Sequence, residues 1–210
     1  MMTRQITLRY ALILGAVALA CTLISTLIFG LTKGRIEQVT AEQQWILFRE
    51  ILPQELFDND PTATCKMVNE PEQAMINKLY FAKKGTETTA YILQTTAPDG
   101  YSGNIVLLMA IEPNGNVLGV RTLEHKETPG LGDKIETRVS DWIKSFSNRI
   151  FRLENESEWA VKKDGGSFDQ FTGATITPRA VVNNVRQSAK WTINELAKNP
   201  QMVEQFKDCK

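Results

Sequence analysis

An unbroken apolar run near the start of the chain limits what the rest can do. From Tyr10 to Leu31 it reads YALILGAVALACTLISTLIFGL, with no charged residue. As a helix this run rises about 33 Å, enough to cross the hydrocarbon core of a bilayer. The competing reading is a cleaved signal peptide, whose apolar core is about 7–15 residues long and ends at a small-residue site. Ala18-Leu19-Ala20-Cys21 has the small residues of a lipoprotein processing site, yet the apolar run continues well past Cys21. We therefore read residues 10–31 as a retained transmembrane helix in contact with the lipid bilayer. Flanking charge does not orient it, because Arg4 and Arg9 before the span are matched by Lys33 and Arg35 after it.

Beyond the anchor, a chain of 210 residues leaves the length of one ordinary domain. The 24 basic and 24 acidic residues cancel, which argues against nucleic acid as a partner, since phosphate backbones demand a net positive face. Three cysteines, Cys21, Cys65 and Cys209, are too few and too widely spaced for a zinc ribbon or a CxxC redox pair. Cys21 lies inside the anchor. Cys65 and Cys209 are either a disulfide, if the domain faces an oxidising compartment, or two unrelated thiols.

Periodicity divides the rest of the chain. Gln44 to Leu56 places Trp45, Phe48 and Leu52 on one helical face, beside Leu47 and Ile51, and predicts an amphipathic helix leaving the membrane. Asn59 to Thr62 is a turn-rich break. We read 32–87 as a membrane-proximal helical segment and 88–210 as the folded domain. In that domain Thr88–Thr96, Ile105–Glu112 and Val117–Glu124 read as strands, the last two joined by a hairpin through Asn114-Gly115. Asp133 to Phe146 has helical spacing, and Glu158 to Lys163 reads as a short strand. A last helix is capped by Thr177, has Pro178 in its first position, and carries a stripe of Val182, Val185, Ala189, Ile193 and Leu196. Helices and strands without regular βαβ alternation make the fold class α+β, an antiparallel sheet with flanking helices after one transmembrane helix.

Chemistry concentrates between the short strand and the last helix, in KKDGGSFDQFTGATITPRA. Glycine, aspartate and hydroxyl residues there deliver the chain to a helix N-terminus, whose amides and dipole attract an anion. Lys162, Lys163 and Arg179 add charge. The Walker GxxxxGK[ST] spacing and the Rossmann fingerprint are both absent, so nucleotide hydrolysis is disfavoured. On physics alone, an ordinary surface loop followed by a well-capped helix is the better explanation of the segment.

Two motifs shift that balance. Asp169-Gln170-Phe171-Thr172-Gly173-Ala174-Thr175 resembles the D-x-x-[ST]-G-A-[ST] acceptor sequence of the FMN-binding domain family, in which a dedicated flavin transferase esterifies the final hydroxyl, here Thr175, to the phosphate of FMN. Upstream, Glu127-Thr128-Pro129-Gly130-Leu131-Gly132 resembles the family's E-T-P-G-L-G loop beside the flavin. With the anchor and Ala97–Ile105 (APDGYSGNI), these segments are similar to the G subunit of the Rnf electron transport complex across nearly the whole chain.

The resemblance implies a membrane-bound electron-transfer subunit with covalent FMN, in a complex that couples electron transfer between ferredoxin and NAD to ion translocation. It implies an electron-carrying part of a translocase rather than a self-sufficient enzyme. It places 1–9 in the cytoplasm and the domain on the periplasmic side of a bacterial inner membrane. Its partners are then the other Rnf subunits and, during maturation, a flavin transferase. Thr175 would hold the phosphate, with Thr172, Gly173 and Ala174 forming the acceptor turn. Glu127, Thr128, Gly130 and Leu131 would face the ring, and Lys134 and Lys163 would touch phosphate or ring. Asp169 is either read by the transferase or braces the loop.

No catalytic acid, base, nucleophile or metal ligand is required of such a chain, because the flavin carries the redox chemistry. His125, the only histidine, reads as structural or exposed. The alternatives are the C subunit of the sodium-translocating NADH:quinone reductase, which shares the flavin architecture, and a flavin-free membrane-tethered scaffold.

Overall fold

A computed structural model describes residues 2–68 and 75–209, and side chains are described outside 2–7, 36–38 and 40–44. Parts of the stretches 1–9, 32–87 and 88–210 therefore lie outside the described residues, as does the side chain of Gln44. The chain forms two compact units, Met1–Ile46 and Leu47–Lys210.

Helix α1 runs from Met2 to Ile51. Its stretch Leu8–Arg35 has a mean hydropathy of 2.5 and is the one helix among the described residues long and apolar enough to cross a membrane. None of that stretch is buried within the protein, so its leucines, isoleucines and Phe29 need an apolar surrounding from elsewhere. The hydroxyls of Thr22, Thr26 and Thr32 donate to the carbonyls of Ala18, Thr22 and Ile28 at 2.8, 2.9 and 2.8 Å. Such internal pairing is what a segment in lipid requires of its polar groups.

The amphipathic helix expected from Gln44 to Leu56 is not a separate element. Helix α1 continues without a break to Ile51, and a short 3-10 turn, Gln54–Leu56, comes next. Pro53 ends the helix because it has no N–H to donate. Phe48, Ile51 and Leu52 are nonetheless buried, as their spacing predicts.

Among the described residues, seven antiparallel strands make one sheet: β1 (Lys66–Met67), β2 (Ile76–Lys84), β3 (Glu87–Gly100), β4 (Gly103–Ile111), β5 (Asn116–Glu124), β6 (Arg149–Ile150) and β7 (Lys207–Asp208). Their order is β6-β5-β4-β3-β2-β1-β7. Three strands match the sequence reading within a few residues, and the sheet is extended by four that periodicity did not mark. Two of these, β1 and β2, fall in the stretch read as membrane-proximal and helical. In β2 the buried run Leu79–Ala82 hides any alternation, because both faces of the sheet are covered.

On one face Leu79, Phe81, Tyr91, Leu93, Leu107 and Met109 join the main core under helix α2, Ile176–Trp191. On the other face the end of α1 packs closely. Ile51 lies against Gly119 of β5, where an added Cβ would come within 3.0 Å, and the Phe48 and Tyr80 rings meet edge to face at 5.1 Å. Arg121 of β5 donates from Nε to Glu50 Oε2 at 2.7 Å.

Cys65 and Cys209 are joined by a disulfide, with Cα atoms 5.4 Å apart. The bond sits beside the β1–β7 pair, where the Cys209 amide also donates to the Cys65 carbonyl at 3.1 Å.

Two expected elements are absent in that form. Asp133–Phe146 is not one helix but two 3-10 turns, Gly132–Ile135 and Trp142–Phe146. The break comes at Ser140, whose hydroxyl donates to the Lys134 carbonyl at 2.6 Å and accepts from the Trp142 amide at 3.2 Å. A side chain that bonds the backbone in this way competes with helical pairing. Glu158–Lys163 is likewise no strand. A 3-10 turn occupies Leu153–Glu158, Val161 makes a single bridge to Phe168, and another turn takes Lys162–Asp164.

Candidate functional site

A pocket of about 280 Å³ opens where three segments converge: the β3–β4 turn, the loop after β5, and the start of α2. It is lined by Tyr101 from the first, Glu127, Thr128, Leu131 and Gly132 from the second, and Gly173 to Thr177 from the third. Sequence segments separated by scores of residues are thus brought to one place by the sheet.

Each wall has a local cause. At the β3–β4 turn, a Cβ on Gly100 would fall 2.3 Å from the Gly103 carbonyl oxygen, so the tight turn that presents Tyr101 needs glycine there. Tyr101 is 72% exposed. The loop that leads into α2 is held from behind by aromatic rings. Phe168 stacks on Phe146 at 4.4 Å, Phe171 meets Trp142 edge to face at 5.0 Å, and Trp142 Nε1 donates to the Asp169 carbonyl at 2.8 Å.

Helix α2 begins differently from the sequence reading. Thr175, not Thr177, occupies the cap position, and its hydroxyl makes no cap hydrogen bond. Thr177 lies within the first turn, fully buried, and its hydroxyl donates to Glu127 Oε2 instead. Pro178 is accordingly the third helical residue, where its missing N–H still falls among the unpaired donors of the first turn. The Ile176 and Thr177 amides remain at the helix start beside the free Thr175 hydroxyl.

Glu127 ties the three walls together. It is 5% exposed; Oε1 accepts from the Ser102 amide at 2.9 Å and Oε2 from the Thr177 hydroxyl. The carboxylate is therefore used within the protein rather than held out to a ligand. Gly132 is part of the same junction. A Cβ there would lie 2.7 Å from Glu127 Oε2 and 2.9 Å from Thr177 Oγ1, leaving no room for any other residue.

Of the residues singled out from sequence, Glu127, Thr128, Leu131, Gly173, Ala174 and Thr175 line the pocket. Gly130, Thr172, Lys134, Lys163 and Asp169 do not. Lys134 Nζ stands 5.9 Å from the centre of the Phe171 ring, and Asp169 pairs with Lys162 at 2.5 Å. Arg179 binds Asp164 through two hydrogen bonds of 2.6 and 2.9 Å, and its guanidinium holds the Asp164 carboxyl below the usual carboxylate range. With Lys162 and Arg179 already paired, the positive end of the pocket is chiefly the backbone of α2. Tyr101, Gly132 and Ile176 complete the lining without having been assigned a role. Their signal in the sequence is adjacency, since each sits inside or next to a segment that carried a motif.

Comparison with known proteins agrees with this convergence. The FMN-binding domain family matches residues 100–190, a span that takes in every wall of the pocket, and the RnfG N-terminal region matches residues 1–51. The chain is 53% identical to the G subunit of the ion-translocating oxidoreductase complex of Haemophilus influenzae (strain 86-028NP), over 98% of this chain and 99% of that one.

The chain belongs to this G-subunit family.

Within that family it is also 53% identical to the Pasteurella multocida protein, over 93% of this chain and 98% of that one, and 44% identical to the Salmonella typhimurium protein, over 93% and 95%. Among solved structures, the C subunit of the Na(+)-translocating NADH-quinone reductase from Parabacteroides distasonis has a TM-score of 0.43 at 20% identity, covering 60% of this chain and 62% of that one.

The pocket suits FMN on its own chemistry. A hydroxyl that caps nothing stands at the start of a 16-residue helix, where backbone amides favour a phosphate. Leu131 and Tyr101 offer apolar area beside it, as a flat aromatic ring system requires.

Proposed function

We propose that this member of the G-subunit family is the membrane-anchored electron-transfer flavoprotein of an ion-translocating oxidoreductase complex, with FMN esterified through its phosphate to Thr175. The observation that carries the reading is the Thr175 hydroxyl, left without a cap bond at the N-terminus of α2 and lining the pocket. The flavin supplies the redox chemistry, and the protein supplies placement. The amides of Ile176 and Thr177 would hold the phosphate. Leu131 and Thr128 would border the ring, and Gly173 and Ala174 precede the hydroxyl in the chain. Attachment through phosphate leaves the ring system free to exchange electrons.

In this reading residues 1–9 are cytoplasmic, 10–31 span the bacterial inner membrane, and the folded unit faces the periplasm. The Cys65–Cys209 disulfide supports that side, since such bonds persist in oxidising compartments. The complex would move electrons between ferredoxin and NAD, with the other subunits and a maturing flavin transferase as partners.

The test is the intact mass of the full chain co-expressed with a flavin transferase, beside a Thr175→Ala variant. The expected gain is the mass of FMN less water in the wild type and none in the variant. A wild type that gains nothing overturns the reading; a gain that survives the substitution moves the ester to Thr172 or Thr177.

A further inference from the structure

Behind the pocket wall lies a chain of contacts that the flavin reading does not use. His125 is 10% exposed, and its two ring nitrogens have different partners. Nδ1 accepts from the Glu127 amide at 3.0 Å, so this nitrogen carries a lone pair. The ring proton therefore resides on Nε2, which meets Glu136 Oε1 at 2.5 Å. Glu136 is in turn held by Arg138, whose Nη2 donates to Oε1 at 2.9 Å and whose Nε donates to Oε2. The Arg138 guanidinium, with help from His125, keeps the Glu136 carboxyl below its ordinary range despite partial burial. These residues line a second cleft, of about 560 Å³, that shares Glu127 with the flavin pocket.

We infer that His125 is a positioning residue for the flavin pocket, fixing the backbone of Glu127 so that its carboxylate reaches both Ser102 and Thr177. The inference rests on the flavin reading for its functional meaning. Its geometry is independent of it. Among the described residues, Glu127 is the one side chain that bonds both the Tyr101 turn and the Thr175 helix, and His125 Nδ1 is the acceptor for its main-chain N–H. Without that acceptor the amide of a residue only 5% exposed loses its partner, and the loop from Glu127 to Gly132 loses its fixed origin. The tautomer follows from the same arrangement, because an imidazole protonated on both nitrogens has nothing to accept with at Nδ1.

Two near-isosteric variants separate this role from bulk packing. In His125→Asn the amide oxygen takes the place of Nδ1 and still accepts from Glu127. In His125→Gln the amide nitrogen reaches toward Glu136, but the acceptor for Glu127 is lost. Two measurements are made on the full chain in detergent. The first is amide hydrogen exchange of the flavin-free protein, comparing residues 126–132 with β4. The second is the rate of FMN incorporation by a flavin transferase, read as intact mass.

His125→Gln is expected to speed exchange in 126–132 about tenfold and to slow incorporation by a similar factor, with β4 unchanged. His125→Asn is expected to stay within about twofold of wild type in both, as a rescued acceptor should. Wild-type exchange in His125→Gln overturns the inference, as does an Asn variant as impaired as Gln, or faster exchange spread equally over β4. A wild type that takes no FMN removes the flavin reading alone, since the exchange comparison still decides the role of His125.

Discussion

Replacing Glu127 by alanine isolates the junction on which the pocket depends. In the wild type the carboxylate accepts two hydrogen bonds, one from the Ser102 amide at 2.9 Å and one from the Thr177 hydroxyl. The two donors differ in what replaces the lost partner. Ser102 is exposed, so its amide passes to water at little cost. Thr177 is 0% exposed, and its hydroxyl is left without a partner, which costs about 1–3 kcal/mol. Truncating a side chain that is 5% exposed removes packing worth about 1 kcal/mol more. Together these give a loss of about 2–4 kcal/mol. Glu127→Gln should lose much less, about 1 kcal/mol, because its amide oxygen serves Ser102 while its nitrogen donates to a Thr177 hydroxyl turned to accept. The assay is urea unfolding of the full chain in detergent, monitored by tryptophan fluorescence. The difference is taken from the midpoints at a common slope. Equal losses in Ala and Gln, or a loss below about 0.5 kcal/mol in Ala, would show that the carboxylate bonds do not hold the walls together.

Two further outcomes come from the same structure. The disulfide closes a loop with a sequence separation of 144, for which chain entropy allows up to about 5 kcal/mol; a Cys65→Ser, Cys209→Ser double variant should lower the urea midpoint correspondingly, and an unchanged midpoint would refute a structural role. Because the folded state lowers the Glu136 carboxyl below its ordinary 4.5, chiefly through Arg138, its contribution is present above that pH and is lost as pH falls below it. Glu136→Gln should flatten the acid limb of stability in that window, as acid titrations of both proteins would show.

Local sequence determined much of this protein. An uncharged run from Tyr10 to Leu31 is long and apolar enough to cross a membrane as a helix, so the candidate span follows from composition and length. The hairpin through Asn114-Gly115 and the apolar strands around it are also set by near neighbours, as is the anion-friendly start of α2, legible from glycine and hydroxyl residues before a stripe of valines.

Tertiary structure decided the rest, because the forces involved act between residues distant in sequence. Thr177 has the chemistry of a cap, but the buried Glu127 carboxylate draws its hydroxyl away, and the cap position falls to Thr175 with a hydroxyl left free. Lys162 and Arg179 look available for phosphate in the sequence, yet each has an acidic partner in the fold. Strand β2 shows no alternation, since burial on both faces removes the pattern by which a strand is recognised. Tyr101 and Thr175 meet in one pocket because the sheet brings their segments together, and a single carboxylate at Glu127 bonds the flanking residues Ser102 and Thr177.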